Sequence, residues 1–406
     1  NYIAWYAMVF ISMVWLLTFL KNQSFYRFEP KLPKKLPSVS VIVPAYNEED
    51  VLAGTVESLL NLDYPKDKLE IIVVDDGSTD RTLEVARRFE PEVKVIEKGE
   101  NRGKAHSLNM GIKIARGELI ACLDADSFVE PDSLKKMVGF FEDKNVGCVT
   151  PALKVKNPRN LLSKIQYSEY LLNIFLRRVL AFMDAVPVAP GPFSIYRKSV
   201  LEEIGGFDEN NLTEDMEIAL KMHNAGYRIE NSTTAEVFTI CPEKLKPLYK
   251  QRVRWYRGVI ENTIKYRHML FNRKYGNLGV FYLPVNMVAV FLIMILFGVI
   301  IYNLGKSLYD TLNYLFLINF DFMTFVKEFS LTPKIDIFLL NFDFMLFISI
   351  TLLGGYILYQ SYRSVDEKVS VKKLGYVSYL FLFPILLMFF WSVSLIYEIL
   401  RAEKKW

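Results

Sequence analysis

The chain runs to 406 residues, room for one large or two ordinary globular domains. Its 49 Lys and Arg against 45 Asp and Glu leave a net charge of +4, too mild to point to a nucleic-acid partner. The three cysteines, Cys122, Cys148 and Cys241, are widely spaced without a metal-ligand pattern, which excludes a disulfide framework and predicts reduced core residues.

The 51% apolar content is unevenly spread. Tyr2 to Leu20, Leu278 to Leu304 and Leu374 to Tyr397 carry no charge, and Ile337 to Tyr359 carries only Asp343. Each run is about long enough to cross a ~30 Å hydrocarbon core. The first lacks a basic leader and a small-residue cleavage site, so it is expected to be an anchor rather than a removed signal. Asp343 is expected near the outer end of its span. The pattern predicts a polytopic cell-membrane protein of about four transmembrane helices, with an α/β domain inserted after the first. Boundaries are expected at 1–22 (helix), 23–37 (linker), 38–243 (catalytic domain), 244–275 (interfacial helices) and 276–406 (membrane domain with about three helices).

Lys21, Arg27, Lys31, Lys34 and Lys35 follow the first run, and Lys265, Arg267, Arg273 and Lys274 precede the second. The positive-inside rule makes both flanks, and the domain between them, cytoplasmic. The loop from Gln360 to Lys373, with Arg363, Lys368, Lys372 and Lys373, is expected on the same side. A conflict follows, because four spans send the basic tail Arg401, Lys404 and Lys405 outside. A further span over Tyr309 to Val326 would rescue the tail and misplace the loop.

Past a Pro-punctuated linker, Val39 to Val43 reads as a strand, stopped by Pro44-Ala45-Tyr46-Asn47-Glu48. Asn47 is expected to cap the next helix, with Glu48, Glu49 and Asp50 at its positive end. Leu69 to Val74 is a second strand closed by Asp75-Asp76-Gly77-Ser78, with a helix from about Thr79. Val93 to Ile96 is a third, and Asn101-Arg102-Gly103-Lys104 opens a helix. Leu119 to Leu123 is a run too apolar to face water on either side, so it reads as a buried parallel strand. It ends in Asp124-Ala125-Asp126. Two carboxylates beyond a parallel strand can hold a divalent cation whose remaining positions go to phosphate oxygens. As an isolated motif, Asp-x-Asp reads equally well as a solvated loop.

The alternation of strand and helix means right-handed crossovers and a mainly parallel, nucleotide-binding sheet. Tyr46, Asp75, Asp76 and Asp126 should then line one crevice. Neither Gly-x-Gly-x-x-Gly nor a Walker lysine follows the first strand. Asn160 to Met183 is expected as a long helix, and Thr213-Glu214-Asp215 as the start of another, with Thr213 as cap and Gly226 as stop. His106 and His223, within helices, read as surface or packing residues rather than metal ligands. Lys244 to Met269 reads as a helix in the membrane interface.

In order and spacing, Pro44-Ala45-Tyr46-Asn47-Glu48, Asp75-Asp76-Gly77-Ser78, Asp124-Ala125-Asp126, Thr213-Glu214-Asp215 and Gln251-Arg252-Val253-Arg254-Trp255 resemble the family 2 glycosyltransferases. The likeness is to their membrane-embedded cellulose-synthase and hyaluronan-synthase branch. It covers Ser38 to Trp255. It implies a Rossmann-like GT-A fold and inverting hexosyl transfer (glucosyl, mannosyl or N-acetylglucosaminyl) from a UDP- or GDP-sugar. By the same resemblance Asp75 meets the base, Asp124 and Asp126 serve ribose, diphosphate and Mn2+ or Mg2+, and Asp215, beside Glu214, is the general base. Arg252 and Arg254 are implied at the diphosphate and Trp255 at the acceptor, where a role as interfacial aromatic competes. Ala45, Tyr46, Glu48, Asp76 and Lys104 complete the expected donor set, while Gly191 and Pro192 form the acceptor-side turn.

A nucleotide sugar, a glycan acceptor and membrane lipids are the expected partners. The spans carry few polar residues, which favours a lipid-linked acceptor (polyprenyl or dolichyl type) at the cytoplasmic face. A processive polysaccharide synthase coupled to export is the alternative. From another class, an inactive scaffold or glycan carrier is opposed by the intact acidic motifs.

Overall fold

The computed structural model describes residues 2–321, 323, 342–369 and 373–401, with side chains left undescribed at 2–5 and 342–344. Eight strands form one mixed sheet: β1 (Val39–Ala45), β2 (Leu69–Asp75), β3 (Lys94–Glu97), β4 (Leu119–Cys122), β5 (Ser127–Val129), β6 (Val146–Val155), β7 (Ser194–Arg197) and β8 (Arg228–Thr239). Their order is β3-β2-β1-β4-β7-β6-β8-β5. The first four pair in parallel, with Ala45 opposite Asp75 and Ile42 opposite Cys122, so the acidic strand ends lie side by side as expected. β4 then meets β7 antiparallel.

Every residue of β1 is buried, because helices cover both faces of the sheet. Val41, Val43, Ile71 and Val73 enter one core with Leu52, Val56 and Leu59, while Ile42, Ile72, Val74 and Ile120 enter the other with Leu108 and Ile112. The covering helices are α2 (Leu52–Leu60), α3 (Thr82–Arg87), α4 (Lys104–Ile114), α5 (Ser133–Val138), α6 (Leu161–Ala181), α7 (Lys198–Ile204), α8 (Glu214–Asn224) and α9 (Leu245–Lys265), preceded in the chain by α1 (Tyr2–Lys21). The cysteines are free and buried.

Two expected caps are replaced. Asn47 has a left-handed backbone (φ 55°) and lies well before α2, whose N-cap is Val51. Its Oδ1 instead accepts from the Thr79 N–H at 2.8 Å, tying the end of β1 to the turn after β2. Thr213 stands at the α8 N-cap but makes no side-chain cap; its Oγ accepts from Asn262 at 3.0 Å.

Beyond α9 come α10 (Leu283–Leu317), α11 (Phe342–Ser364) and α12 (Lys373–Ile399). Among the described residues three helices, over Leu278–Leu317, Met345–Ser364 and Lys373–Ile399, are long and apolar enough to cross a membrane; Tyr6–Lys21 is shorter. Of the supposed further span, Tyr309 to Leu317 continues α10, and residues 322 and 324–326 lie outside the described residues. The side chain of Asp343 also falls outside them. Gln360 belongs to α11 rather than to a loop, and the turn after it docks on the α/β domain through Arg27–Asp366 (2.7 Å) and Lys154–Glu367 (3.5 Å).

Candidate active site

The cleft is built where parallel strands end. Asp75 closes β2 and is buried; its Oδ2 accepts from the Ser78 N–H at 3.2 Å, and its Oδ1 has no partner among the described residues. A buried carboxylate oxygen without a partner costs about 1–3 kcal/mol and marks a place where a ligand donor fits. Asp76 is spent internally, accepting from Lys98 Nζ and from the Arg102 N–H at 3.0 Å. The Ala45 carbonyl, at the end of β1, accepts from the Asp76 N–H at 2.8 Å, while Tyr46 stands 43% exposed at the cleft lip.

Past β4, Asp124 is ion-paired with Lys104 Nζ at 2.5 Å, and the same ammonium reaches Glu214 Oε1 at 3.0 Å. Lys104 opens α4 and Glu214 opens α8, so one lysine joins a strand end to two helix starts. Burial works against its charge, but Asp124 and Glu214 outweigh that and hold its pKa above the usual lysine value. Gly191 presses on this cluster: a Cβ there would lie 2.9 Å from both Asp124 carboxylate oxygens. Pro192 follows it, and the Phe193 N–H donates to the Cys122 carbonyl at 2.6 Å, which pins the turn against β4.

Asp126 Oδ1 accepts from Ser127 Oγ at 3.1 Å and Thr239 Oγ at 3.4 Å. Burial and then Asp124 push its pKa up to about 6, and burial with Asp126 and Asp124 pushes Glu48 to about 7. Asp126 and Glu48, both resisting ionisation beside the Asp124 charge, are a setting a cation would relieve. No group of three His, Cys, Asp or Glu among the described residues forms a ready cage. Asp124 and Asp126 are hard oxygen donors of the kind a Mg2+- or Mn2+-type ion takes together with water and phosphate oxygens. On this chemistry the residues fit the expected cation.

Asp215 stands in the first turn of α8, where its Oδ1 accepts from the Met216 N–H at 2.8 Å. A helix start favours its ionised form, but burial and then Glu214 raise its pKa to about 6. Glu214 goes the other way: burial raises it, while Lys104 and Arg254 more than compensate and hold it below the usual range. Neighbouring carboxylates thus have separated proton affinities, the pattern of an acid–base site.

The positive charge of Arg254, on α9, acts on both Glu214 and Asp215. Arg252 does not join the cleft. It is 1% exposed, donates to Glu169 Oε2 of α6 at 2.6 Å, and stacks its guanidinium 4.2 Å from the Trp255 ring centroid. Its expected place at the diphosphate is therefore replaced by a buried ion pair behind Trp255, which is itself partly exposed.

Three further residues had no motif to announce them. Arg177 of α6 donates to the Pro151 carbonyl at 3.3 Å and feels the Asp215 charge, though burial lowers its pKa to about 10. Asn262 of α9 joins Thr213 and Asn211 in a buried network, with Asn211 Nδ2 donating to Asn262 Oδ1 at 2.8 Å. Gly258 lets α9 approach, since a Cβ there would sit 2.8 Å from Thr213 Cβ and closer still to its outer atoms. The i, i+4 spacing of Arg254, Gly258 and Asn262 on one helix face was the available signal. His223 packs as expected, with its Nε2 2.8 Å from the Val186 carbonyl.

Comparison with known proteins places this geometry. The family model "Glycosyl transferase family 2" matches residues 40–205. The chain is 33% identical to a poly-beta-1,6-N-acetyl-D-glucosamine synthase of Staphylococcus epidermidis over 269 residues, covering 64% of this chain and 65% of that one. A Staphylococcus aureus (strain MSSA476) protein of the same name is 34% identical over the same coverage, so the match spans just under two thirds of these relatives' length. Among solved structures, the mannosyltransferase PcManGT of Pyrobaculum calidifontis, in complex with GDP-Man and Mn2+, superposes with a TM-score of 0.60. That superposition covers 98% of this chain and 99% of that one at 19% identity, a likeness of fold.

Proposed function

We propose that this chain, whose residues 40–205 match the family 2 glycosyltransferase model and whose fold superposes on a mannosyltransferase, is a membrane-bound member of that family, a synthase extending an N-acetylglucosamine polymer from UDP-GlcNAc. The class of enzyme, a nucleotide-sugar-dependent hexosyltransferase, rests on the family; the donor and polymer rest on the 33–34% identical relatives. The observation that carries the chemistry is the joining of Asp124, Lys104 and Glu214 by 2.5 and 3.0 Å contacts beside Asp215. They set leaving-group binding and proton removal next to each other.

In this reading Asp75 takes the base, and Asp124 and Asp126 would hold Mn2+ or Mg2+ beside the diphosphate. The cation would offset the negative charge that builds on the departing diphosphate. Arg254 and Lys104 add fixed positive charge to the same oxygens. The acceptor hydroxyl attacks the anomeric carbon from the face opposite the diphosphate. The carbon–oxygen bond to phosphate breaks with its electron pair leaving on UDP, and the hydroxyl proton passes to an Asp215 carboxylate oxygen. A carboxylate with a pKa near 6 is ionised at neutral pH yet takes a proton more readily than an ordinary aspartate. Trp255 supplies an aromatic face for the acceptor sugar.

Radiolabelled UDP-GlcNAc with the purified chain in nanodiscs and Mn2+ tests the reading. A ladder of products, shortened by a β-1,6-N-acetylglucosaminidase, is expected. No transfer from UDP-GlcNAc, alongside transfer from another sugar nucleotide, would overturn the donor and polymer.

A second reading, a single transfer to a lipid-linked acceptor, keeps one specific support. The most apolar stretch of α10 has 0% of its residues buried, so among the described residues no helical bundle closes around it to form a polymer path. One product band that partitions with lipid would favour it.

A further inference from the structure

α12 is apolar enough to be a span, yet both of its ends rest on the α/β domain. At the start, a Cβ on Gly375 would lie 2.7 Å from the Lys164 carbonyl oxygen, so the helix backbone touches α6. Midway, Trp391 stacks on Tyr256 of α9, with ring centroids 4.5 Å apart and planes at 21°. In the last turns the Tyr397 hydroxyl lies 3.0 Å from that of Tyr249, and Glu398 accepts from Arg257 Nε at 2.6 Å. Its 27 residues extend about 40 Å, more than a ~30 Å hydrocarbon core.

A helix crossing the bilayer carries its far end away from whatever its near end touches. For α12 to cross, the elements it lies on would have to cross with it. Besides α10, met at Met294 by Ser392, and α11, met at Gly355 by Tyr376, these are α6, with Lys164, Glu169, Arg177 and Arg178, and α9, with Arg254. Each charge at the bilayer centre costs about 2.5–3.5 kcal/mol even on the mildest scale.

α10 and α11 behave differently. α10 starts beside the domain, with Leu278 and Leu283 in its core, and its most apolar stretch is unburied. α11 comes back to the domain: the Tyr362 hydroxyl is 2.6 Å from Ser168 Oγ of α6, and the turn after it is ion-paired to Arg27. Leaving at the start and returning at the end is the geometry of one hairpin.

We propose that α12 lies in the plane of the membrane surface as a cover over α6 and α9, and that α10 and α11 alone form the C-terminal crossing. The outward face of α12 supports this. Leu374, Val377, Phe381, Ile385 and Phe389 recur at helical spacing and are 45–61% exposed, a stripe suited to the acyl boundary of a lipid surface. The placement also removes the charge conflict in the sequence. With α12 in plane, Arg401 stays on the side of the catalytic domain, with the other basic flanks. The inference rests on the membrane placement of the proposed function and is independent of donor and polymer.

The test uses the full chain in proteoliposomes, carrying a fluorophore on a single introduced cysteine (Val377→Cys, Ile385→Cys or Ile396→Cys), with the unsubstituted chain as blank. Lipids bearing quenchers at headgroup or mid-chain depth report position. Equal, shallow quenching at all three sites is expected. Quenching that is deepest at Ile385→Cys and shallow at the other two would overturn the proposal. As an independent check, an impermeant maleimide should label Arg401→Cys from the same side as Lys144→Cys and opposite to Asn319→Cys. Arg401→Cys labelled with Asn319→Cys would overturn it. A chain that does not float with lipid would overturn the membrane placement itself, and the proposal with it.

Discussion

The two sides of the cleft are held in place by different physics. On the side proposed for the donor, Asp75 and the Asp124–Asp126 pair stand at or just past the ends of paired parallel strands, whose register fixes those ends relative to one another. On the other side, Asp215 and Arg254 sit on helices α8 and α9, and what sets those helices is close packing at Gly258 and the buried Asn211–Thr213–Asn262 network. A site that rests on sheet pairing tolerates local change. A site that rests on helix docking depends on single side chains far from the chemistry.

The largest expected effect separates the two sides by function. Asp215→Asn should keep donor binding while turnover falls about 10²–10⁴-fold, the usual share of a general base. With a pKa of about 6, Asp215 takes up a proton and loses its basicity as pH drops through 6. The unsubstituted enzyme should slow there, and the residual rate of Asp215→Asn should not follow that limb. Single-turnover rates across pH 5–8 with parallel nucleotide titrations check both.

Next, α9 carries two arginines that should fail in different ways. Arg254→Ala removes a positive charge acting on Glu214 and Asp215 and should lower turnover about 10²–10³-fold with little change in thermal stability. Glu169→Ala leaves Arg252 buried without its partner and should cost about 3–5 kcal/mol of stability, read by denaturant unfolding in detergent. A stable Glu169→Ala protein would contradict the structural role given to the pair.

A smaller effect sharpens the contrast. Gly258→Ala intrudes on Thr213 and should cost about 1–3 kcal/mol as an overpacked contact. Because Thr213 precedes Glu214 and Asp215, turnover should fall by more than the stability loss explains. Gly305→Ala, at a helical glycine of α10 with nothing within 4 Å of a built Cβ, is the control and should leave turnover unchanged.

The same contrast decides what was legible in the sequence. The strands, their parallel pairing and the gathering of the ends of β1, β2 and β4 on one edge could be read, because a buried strand needs a continuous apolar run and its end is marked by polar residues. Asn47 was misread as a cap, since its left-handed backbone and long-range bond to Thr79 leave no local trace. Arg252 and Arg254 stand two residues apart in one motif, and only helix phase, about 200° between them, sends one into the interior and one to the cleft. The Asn211–Asn262 contact joins residues 51 apart, beyond any local pattern. Hydropathy marked α12 as apolar without registering that α6 and α9 lie along one of its faces.

If the strand-end carboxylates hold a cation-bound diphosphate, the affinity of UDP with and without Mn2+ should report it, in the unsubstituted chain and in Asp126→Ala. Mn2+ should strengthen UDP binding in the former and have little effect in the latter. Equal strengthening by Mn2+ in both would contradict it.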